Sequence, residues 1–448
     1  MQLKSKMKPM ITKIKLLTVV LFCGFSLQAQ EVLTKEQAVA LALENNYGIK
    51  IANNAVTIAE NNTSILNSEF LPTITANAGA NYNLDNTEAE FSDGRPDAVL
   101  NGAESSNYNA SVSLNYTLFD GLGRRYNYKR LKVQYKLSEL EARATIESTI
   151  LQLFSVYYNV AQLSDNLNAL EQTLDNSKDR LIRAQYQFEY GQSTKLAVLN
   201  AEVDINTDSI NIINTKQDLK IAKRDLKLVL GESFTIDFGV ETDVDFTLQF
   251  QKDILFEKAK SRNIALLQVE KNISISKLDI NSGKSAYLPT IGLSGSYGWN
   301  KNNNNAVALL AVSTNTGLSA GLSLSWNLFD GGSTITTVRN AKISLETQQL
   351  QKESILLNIE RDFNNAWDNY KNKLEIYNIQ EKNIITAQNN FERTQEKFKI
   401  GQVNSIEFRQ AQVNLLNAEL SRNQAKFSAK LSELEVLQIS GELLNVQF

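Results

Sequence analysis

Two hydrophobic patterns alternate along the chain, and each of them occurs twice. Four segments alternate apolar residues with Ser, Thr, Asn and Gly at a period of two, which is typical of strands with one apolar face. We predict these strands at 71–84, 108–119, 288–300 and 318–329. After the second and the fourth strand come 67 and 68 residues without Gly or Pro, and such stretches permit very long helices.

The first long helix contains a coiled-coil seam, because its core positions follow spacings of three and four without interruption. The seam positions are Val160, Leu163, Leu167, Leu170, Leu174, Ser177, Leu181, Ala184 and Phe188. The second long helix keeps one such row, at Tyr370, Tyr377, Ile384, Phe391 and Phe398. An ordinary helical bundle would also give a seam. However, a helix of this length reaches roughly 100 Å, far beyond the average helix.

Shorter helices are predicted ahead of the strands. Thr34 and Gln37 have the spacing of a capping box, which predicts a short helix that continues through Asn45. A second helix is expected at about 49–70. In the other half of the chain, the counterpart of the capping-box helix is expected at about 253–262 and that of the second helix at about 265–287.

The motifs themselves recur, which indicates an internal repeat. The sequence Leu-Pro-Thr-Ile occurs at 71–74 and 288–291, and Leu-Phe-Asp-Gly at 118–121 and 328–331. The pair Gly-Gln occurs at 191–192 and again at 401–402. We therefore predict two structural repeats, 30–240 and 241–448, that form one intertwined fold. Each repeat has a long helical hairpin, with tips near 191 and 401.

The first 29 residues have the pattern of a secretory signal peptide, with five lysines ahead of an apolar run at 16–27. The run is too short to span a bilayer as a helix. Cys23 lies within it, after the bulky Phe22, where lipid attachment would favour a small residue. We therefore interpret Cys23 as part of the leader, and whether it is ever lipidated stays open.

Composition removes several classes of function. The chain has no histidine, and its one cysteine lies in the predicted leader, which excludes Ser-His-Asp and Cys-His catalysis and His- or Cys-ligated zinc. Carboxylates are scattered among lysines, as on solvated helix faces. We expect no enzyme activity, no catalytic residues, no cofactor and no metal site. Beyond the leader, acidic residues exceed basic ones by eight, so a nucleic acid is not an expected partner.

The four strands favour a membrane barrel over hairpins on a soluble core, although both would alternate in this way. Their polar face carries almost no charge, and aromatic residues gather toward the strand ends, as in interfacial girdles. Four strands cannot close a barrel, and unpaired edge groups are costly in lipid. The chain must therefore associate. Eight strands would leave a filled interior, whereas twelve would leave a wider lumen.

Taken together, the leader, the doubled order of helices and strands and the recurring motifs resemble the TolC-like outer membrane efflux and secretion proteins. The resemblance covers essentially the whole chain after the leader. It implies a mixed α and β membrane protein that forms a homotrimer, with a 12-stranded β-barrel in the outer membrane of a Gram-negative bacterium and a periplasmic barrel of long α-helices. It also implies a passive duct that docks with a periplasmic adaptor and an inner-membrane transporter. The alternative is a trimeric coiled-coil stalk or adhesin with a barrel anchor.

The resemblance also implies positions for a functional site. The hairpin tips that meet the adaptor map to Tyr190, Gly191, Gln192, Ser193, Ile400, Gly401, Gln402 and Val403. A ring of carboxylates at the periplasmic entrance maps to Glu407 and Gln410, of which only the first is acidic. An Arg–Asp latch of the family maps to Val403 and Ala197, so that particular salt bridge cannot form here.

Overall fold

The structure, a computed structural model, describes residues 31–92, 94–231, 238–246 and 251–446. The predicted signal peptide and Cys23 lie outside the described residues. Within those ranges, no helix is both long enough and apolar enough to cross a membrane.

Eight helices and six strands account for most of the described residues. The helices are α1 (Lys35–Asn45), α2 (Tyr47–Asn62), α3 (Gly123–Glu189), α4 (Lys195–Leu230), α5 (Lys252–Arg262), α6 (Ile264–Ser285), α7 (Ser333–Lys399) and α8 (Ser405–Ile439). The strands are β1 (Glu31–Leu33), β2 (Thr73–Ala89), β3 (Ala98–Asp120), β4 (Phe238–Val240), β5 (Thr290–Asn303) and β6 (Val312–Ser325). The long helices α3 and α7 have the same length, 67 residues each.

The chain divides into two compact units. The helical unit contains the described residues up to Lys50 and those of Ile146–Phe256 and Asp362–Phe448. The strand unit contains Ile51–Thr145, apart from residue 93, and Glu257–Arg361.

One four-stranded antiparallel sheet, in the order β2-β3-β5-β6, organises the strand unit. Its register sorts the side chains by polarity, because Ala76 lies opposite Val112, which in turn lies opposite Tyr297. On the other face Thr75, Ser113, Ser296 and Ser319 form one row across all four strands. In the single chain the apolar face of the sheet is exposed: Leu318 is 79% exposed and Ile74 67% exposed.

The observed strand bounds extend beyond the predicted ones at the hairpin ends. The first hairpin continues through a β-bulge between Asp85 and Thr87 as far as Ala89, and β3 begins already at Ala98. By contrast, β6 ends at Ser325, where the Trp326 indole donates a hydrogen bond to the carbonyl of Tyr287. The predicted fourth strand therefore began and ended several residues too late.

The predicted helix at 49–70 ends too late as well. Helix α2 stops at Asn62 and is followed by a 3-10 turn at Ile65–Asn67. Polar side chains explain the stop: Thr63 Oγ1 donates to the carbonyl of Glu60, and Ser64 Oγ accepts from the amide of Leu66. Such side chains compete with the helical hydrogen bonds of the backbone.

The predicted capping box is confirmed. Thr34 Oγ1 accepts from the amide of Gln37, and the Gln37 side chain accepts from the amide of Thr34. Helix α1 begins at Lys35, directly after the N-cap residue Thr34, and ends at the predicted Asn45.

The core of the helical unit lies where α1, α3, α4 and α8 meet β1 and β4. Its largest buried side chains include Phe154, Tyr157, Tyr158 and Phe427, whose rings contact one another. Toward the end of α3 the predicted seam is buried or half-buried at every position from Val160 to Ala184, and only its last member, Phe188, is 44% exposed.

Candidate functional site

Both helical hairpins of the helical unit turn through the same motif. The amide of Gly191 donates to the carbonyl of Phe188, and the amide of Gln192 donates to that of Gln187. The equivalent bonds at the second tip run from Gly401 to Phe398 and from Gln402 to Lys397. This is the Schellman pattern, which requires a left-handed residue after the helix. The φ angles of 74° at Gly191 and 77° at Gly401 meet that requirement without a side-chain clash.

The predicted tip residues differ in how far they are exposed. Tyr190 is 78% exposed and Ile400 68% exposed, and nothing lies within 4 Å of a Cβ placed on either tip glycine. Gln192 and Gln402 are exposed as well, whereas Ser193 is half-buried. Val403 turns inward and packs against the buried rings of Phe391, Phe398 and Phe408. The two tips therefore offer mostly open backbone and large apolar side chains to a partner.

A stack of aromatic rings fixes the second tip beneath this surface. The rings of Phe398 and Phe408 are parallel, with centroids 4.7 Å apart, and Phe391 stacks on Phe408 at 5.6 Å. Arg183 of the first hairpin covers Phe398 at 5.4 Å, and its Nη1 donates to the carbonyl of Lys399 at 3.0 Å. A cation near the last carbonyls of a helix stabilises its negative end. This contact joins the two hairpins close to their tips.

The two predicted entrance residues lie on the first turns of α8 and are exposed. Asn404 caps this helix by accepting from the amides of Ile406 and Glu407, and its Nδ2 donates to Glu407 Oε1 at 3.1 Å. Gln410 donates to Asn414 Oδ1 at 2.8 Å. Glu407 thus has a local capping contact within its own chain in addition to any role at an entrance.

A buried group of charges lies farther from the tips, and the sequence did not reveal it. The Arg–Asp cluster consists of Arg180 on α3, Asp204 and Asp208 on α4, and Arg409 on α8. Arg409 donates to both carboxylate oxygens of Asp208, with Nη2···Oδ1 at 2.7 Å and Nη1···Oδ2 at 2.8 Å. Its Nε also lies 3.6 Å from Asp204 Oδ1. Arg180 forms a further ion pair with Asp204.

Neutral polar groups complete the surroundings of this cluster. Ser177 Oγ donates to Asp208 Oδ2 at 2.6 Å and accepts from Arg409 Nη1 at 3.1 Å. Gln412 Nε2 donates to Ser177 Oγ at 3.0 Å and to the carbonyl of Thr173 at 2.6 Å. The side chains of Arg180 and Asp208 are only 2% exposed, and that of Arg409 is 16% exposed. Two positive and two negative charges therefore meet among three helices, with Arg180 and Asp208 buried and Arg409 and Asp204 partly buried, since the Asp204 side chain is 27% exposed.

One sequence signal pointed toward this cluster. Ser177 is the single polar residue in the predicted seam, and a polar seam residue needs a partner when it is buried. Its partners Asp208 and Arg409 lie 31 and 232 residues away, so no local pattern connects them. The family's latch positions carry no charge here, because they are occupied by the apolar residues Ala197 and Val403. Ala197 is half-buried, and Val403 packs on phenylalanines.

In the described part of the chain, no group of three or more carboxylates, cysteines or histidines is arranged to hold a metal ion.

A chain that contains two long helical hairpins and a four-stranded sheet with an exposed apolar face has the parts of a membrane-channel subunit. Comparison with known proteins agrees with that class. The family model described as "Outer membrane efflux protein" matches residues 38–232 and 255–442. The chain belongs to this family of TolC-like proteins, which places it in the outer membrane of a Gram-negative bacterium.

Individual relatives are distant but cover most of the chain. The outer membrane efflux protein BepC of Brucella suis is 21% identical over 95% of this chain and 89% of its own length. The outer membrane protein TolC of Escherichia coli is 21% identical over 79% of this chain and 73% of its own. The crystal structure of the CmeC outer membrane channel of Campylobacter jejuni superimposes with a TM-score of 0.73 at 19% identity, over 91% of this chain and 86% of CmeC. At that identity the structural likeness supports the fold alone.

Proposed function

We propose that this chain is the outer membrane duct of a tripartite efflux or type I secretion system. Three copies would form a 12-stranded barrel that continues into a periplasmic tunnel of long helices. The duct would conduct cargo passively from an inner-membrane transporter and a periplasmic adaptor to the exterior. The repeats 30–240 and 241–448 would supply equivalent parts of its wall, after removal of the signal peptide 1–29.

One observation carries this proposal: the sheet has an exposed apolar face and ends on two strands, β2 and β6, that pair on one side only within the described residues. In lipid each unpaired backbone group costs several kcal/mol, so spanning sheets close on themselves. Copies of the same chain can supply the missing neighbours by pairing β6 of one subunit with β2 of the next. Such a head-to-tail contact closes into a ring when the rotation from one copy to the next completes a full turn.

Helix α4 supports the same association in the helical unit. Its buried residues, which include Val198, Ile212 and Leu226, lie on one side. Large apolar residues also follow the opposite side and are 45–78% exposed: Leu196, Leu199, Val203, Ile210, Ile213, Ile221 and Leu228. At 100° per residue these seven fall within one stripe about 100° wide. A helix that is apolar on two opposite sides needs a second partner, and a neighbouring subunit supplies one of matching length.

The stalk or adhesin reading is less well supported. The sheet combines strands from both halves of the chain, separated by long helices, whereas a stalk with a barrel anchor usually keeps its strands together at one end. Family membership also favours the duct.

The proposal is tested by purifying the mature protein in detergent, measuring its mass by light scattering, and recording conductance after reconstitution into planar bilayers. We expect trimers and discrete channels. Ile210→Glu, which places a charge in the α4 stripe, should reduce the trimer fraction. Asn211→Glu adds the same charge 100° further around the helix and should leave it unchanged. A stable, detergent-free, monomeric protein without channel activity would refute the duct.

A further inference from the structure

We propose that the Arg–Asp cluster holds the entrance end of the duct closed, and that opening requires Arg409 to separate from Asp204 and Asp208. The inference rests on the proposed duct function. It assigns the holding contact to buried charges within one subunit, at positions different from the family's latch.

The connectivity of the cluster identifies where separation would occur. Arg180 and Asp204 join α3 to α4, and Ser177 and Asp208 do the same, so these contacts lie within the first hairpin. Arg409 is the charged member that comes from α8, in the second hairpin. Moving the second hairpin away would break the bonds of Arg409 and Gln412 and leave those inside the first hairpin intact. The charges of the Arg–Asp cluster are thus divided between the two hairpins at Arg409, and Arg180 Nη1 adds one longer contact of 3.5 Å to the carbonyl of Ser405 in the second hairpin.

The position of this contact suits control of an entrance. Arg409 lies eight residues after Gly401, about two turns of helix from the tip. The Lys426–Asp165 ion pair, which joins the same two hairpins at 2.9 Å, lies farther from both tips. When the Arg409 contacts are lost, the Lys426–Asp165 pair still joins the hairpins farther back, and the contacts of Arg183 with Lys399 and Phe398 must also break before the tip ends separate.

The chemistry of the cluster also differs from what stability alone would favour. Buried ion pairs are often no more stabilising than apolar residues of similar size, but their geometry specifies one arrangement of the groups. The two-point contact between Arg409 and Asp208 fixes both the rotation and the height of α8 against α4. An apolar seam would tolerate small sliding movements, whereas this contact is either made or broken. It is suited to hold a state that must later be released.

In the closed state, two buried polar atoms lack hydrogen-bond partners within the described ranges, which favours separation of the hairpins. Arg180 Nε and Gln412 Oε1 are buried, and neither has a hydrogen-bond partner among the described residues. Unpaired buried polar atoms destabilise the state that contains them. If the hairpins separate, water reaches both atoms. The closed state is thus held by strong bonds to Arg409, but it leaves these two buried polar atoms without hydrogen-bond partners in the described part of the chain.

Because the cluster is largely buried, the proposal predicts that the open probability of the channel depends little on salt concentration. Exposed ion pairs weaken as ionic strength rises, whereas buried pairs are screened much less. Since Asp208 is 2% exposed, a closed state held by this cluster should show nearly the same open probability in dilute and concentrated KCl. A closed state held by exposed charges at the entrance should open with added salt.

The test is single-channel recording of the trimer in planar bilayers in KCl. Arg409→Gln should raise the open probability roughly tenfold, as expected when a charge-assisted two-point contact is lost. The double variant Arg409→Asp with Asp208→Arg exchanges the two charges and should return the open probability part of the way to the wild-type value. The matched control is Arg422→Gln, which removes an ion pair to Glu381 within the second hairpin and should leave the open probability unchanged.

Arg409→Gln leaves Asp208 buried without its charge partner and is at risk of failing to assemble. Thr173→Cys with Gln412→Cys provides a second test that keeps all four charges, and the only native cysteine is Cys23 in the predicted leader. Bridging the two thiols with a short, reducible cross-linker should abolish openings, and reduction should restore them.

The outcomes are separable from those of the duct proposal. If the wild-type trimer conducts, but Arg409→Gln behaves like Arg422→Gln or the cross-linked channel opens normally, the cluster does not hold the entrance closed. If the wild-type protein forms no trimer and no channel, the duct proposal itself fails.

Discussion

The phenol of Tyr157 donates a hydrogen bond of 2.7 Å to the carbonyl of Leu33 and accepts one of 3.0 Å from the amide of Glu241. One side chain of α3 thereby joins the segment before α1 to the segment after β4. These two segments lie far apart along the chain, and β1 and β4 pair in parallel beside them. The ring itself is fully buried.

We expect Tyr157→Phe to lower the free energy of unfolding by about 1–3 kcal/mol, because it leaves a buried carbonyl and amide without their partner. Burial also raises the pKa of Tyr157 well above its usual value, so the loss should be the same from pH 6 to pH 9. Denaturant unfolding of the detergent-solubilised protein measures it. Tyr158→Phe is the control, since its buried phenol forms no hydrogen bond within the described ranges and its removal should cost less.

The elements of this fold were predictable because their signals are local. Periods of two and of three to four located the strands and long helices, and spacing alone identified the Thr34–Gln37 cap. Errors arose where side chains competed with the backbone, as after Asn62, or where pairing extended a strand, as at Asp85. The sequence also could not show that Val403 turns inward against phenylalanines.

The Arg–Asp cluster escaped prediction for a different reason. Arg409 and Asp208 lie 201 residues apart, and each by itself resembles a charge on a solvated helix face. Only the packing of α3, α4 and α8 brings them together. The tip residues were found through the resemblance and the repeat, and their role in docking stays a prediction.

The tip glycines allow a test that separates the shape of the turn from contact with a partner. Asn tolerates the left-handed conformation that Gly401 adopts, but it adds a side chain to the open space around the turn. We therefore expect Gly401→Asn to assemble and conduct normally, yet to recover less adaptor after chemical cross-linking in cells. Gln402→Asn, one residue further on, is the control. Equal recovery from both variants would show that Gly401 serves the turn alone.

Charge at the entrance is tested at Glu407. Three copies of this carboxylate would favour cations and bind polyvalent cations weakly. Glu407→Gln removes the charge and retains an oxygen that accepts from Asn404, so the cap of α8 should survive. We expect a lower cation preference, measured as a shift of the reversal potential in a KCl gradient, and weaker block by trivalent cations. An unchanged reversal potential would show that Glu407 does not form a charged ring at the entrance.

The half-buried Glu419 on α8 should make stability depend on pH. Burial raises the pKa of this carboxyl, and the nearby Arg422 guanidinium offsets only part of the effect. A carboxyl with a higher pKa in the folded state binds more protons there, so the free energy of unfolding falls as pH rises through the window between the unfolded and the folded pKa. Glu419→Gln should therefore be more stable than wild type at pH 7, and the difference should shrink toward pH 4. Denaturant midpoints at both pH values measure this, and a constant difference would contradict it.

The two faces of β6 should respond in opposite ways to the same charge. Leu318 lies near the middle of the strand on the apolar face, opposite Tyr297, and Ser319 lies on the polar face, opposite Ser296. If the apolar face contacts lipid, Leu318→Arg should cost about 2–4 kcal/mol per subunit near the bilayer midplane, whereas Ser319→Arg should project into a water-filled lumen at little cost. The yield of trimer from outer membranes and its dissociation temperature in detergent measure the difference. Equal tolerance at both positions, or greater damage at Ser319, would mean that the exposed apolar face is covered by protein rather than by lipid.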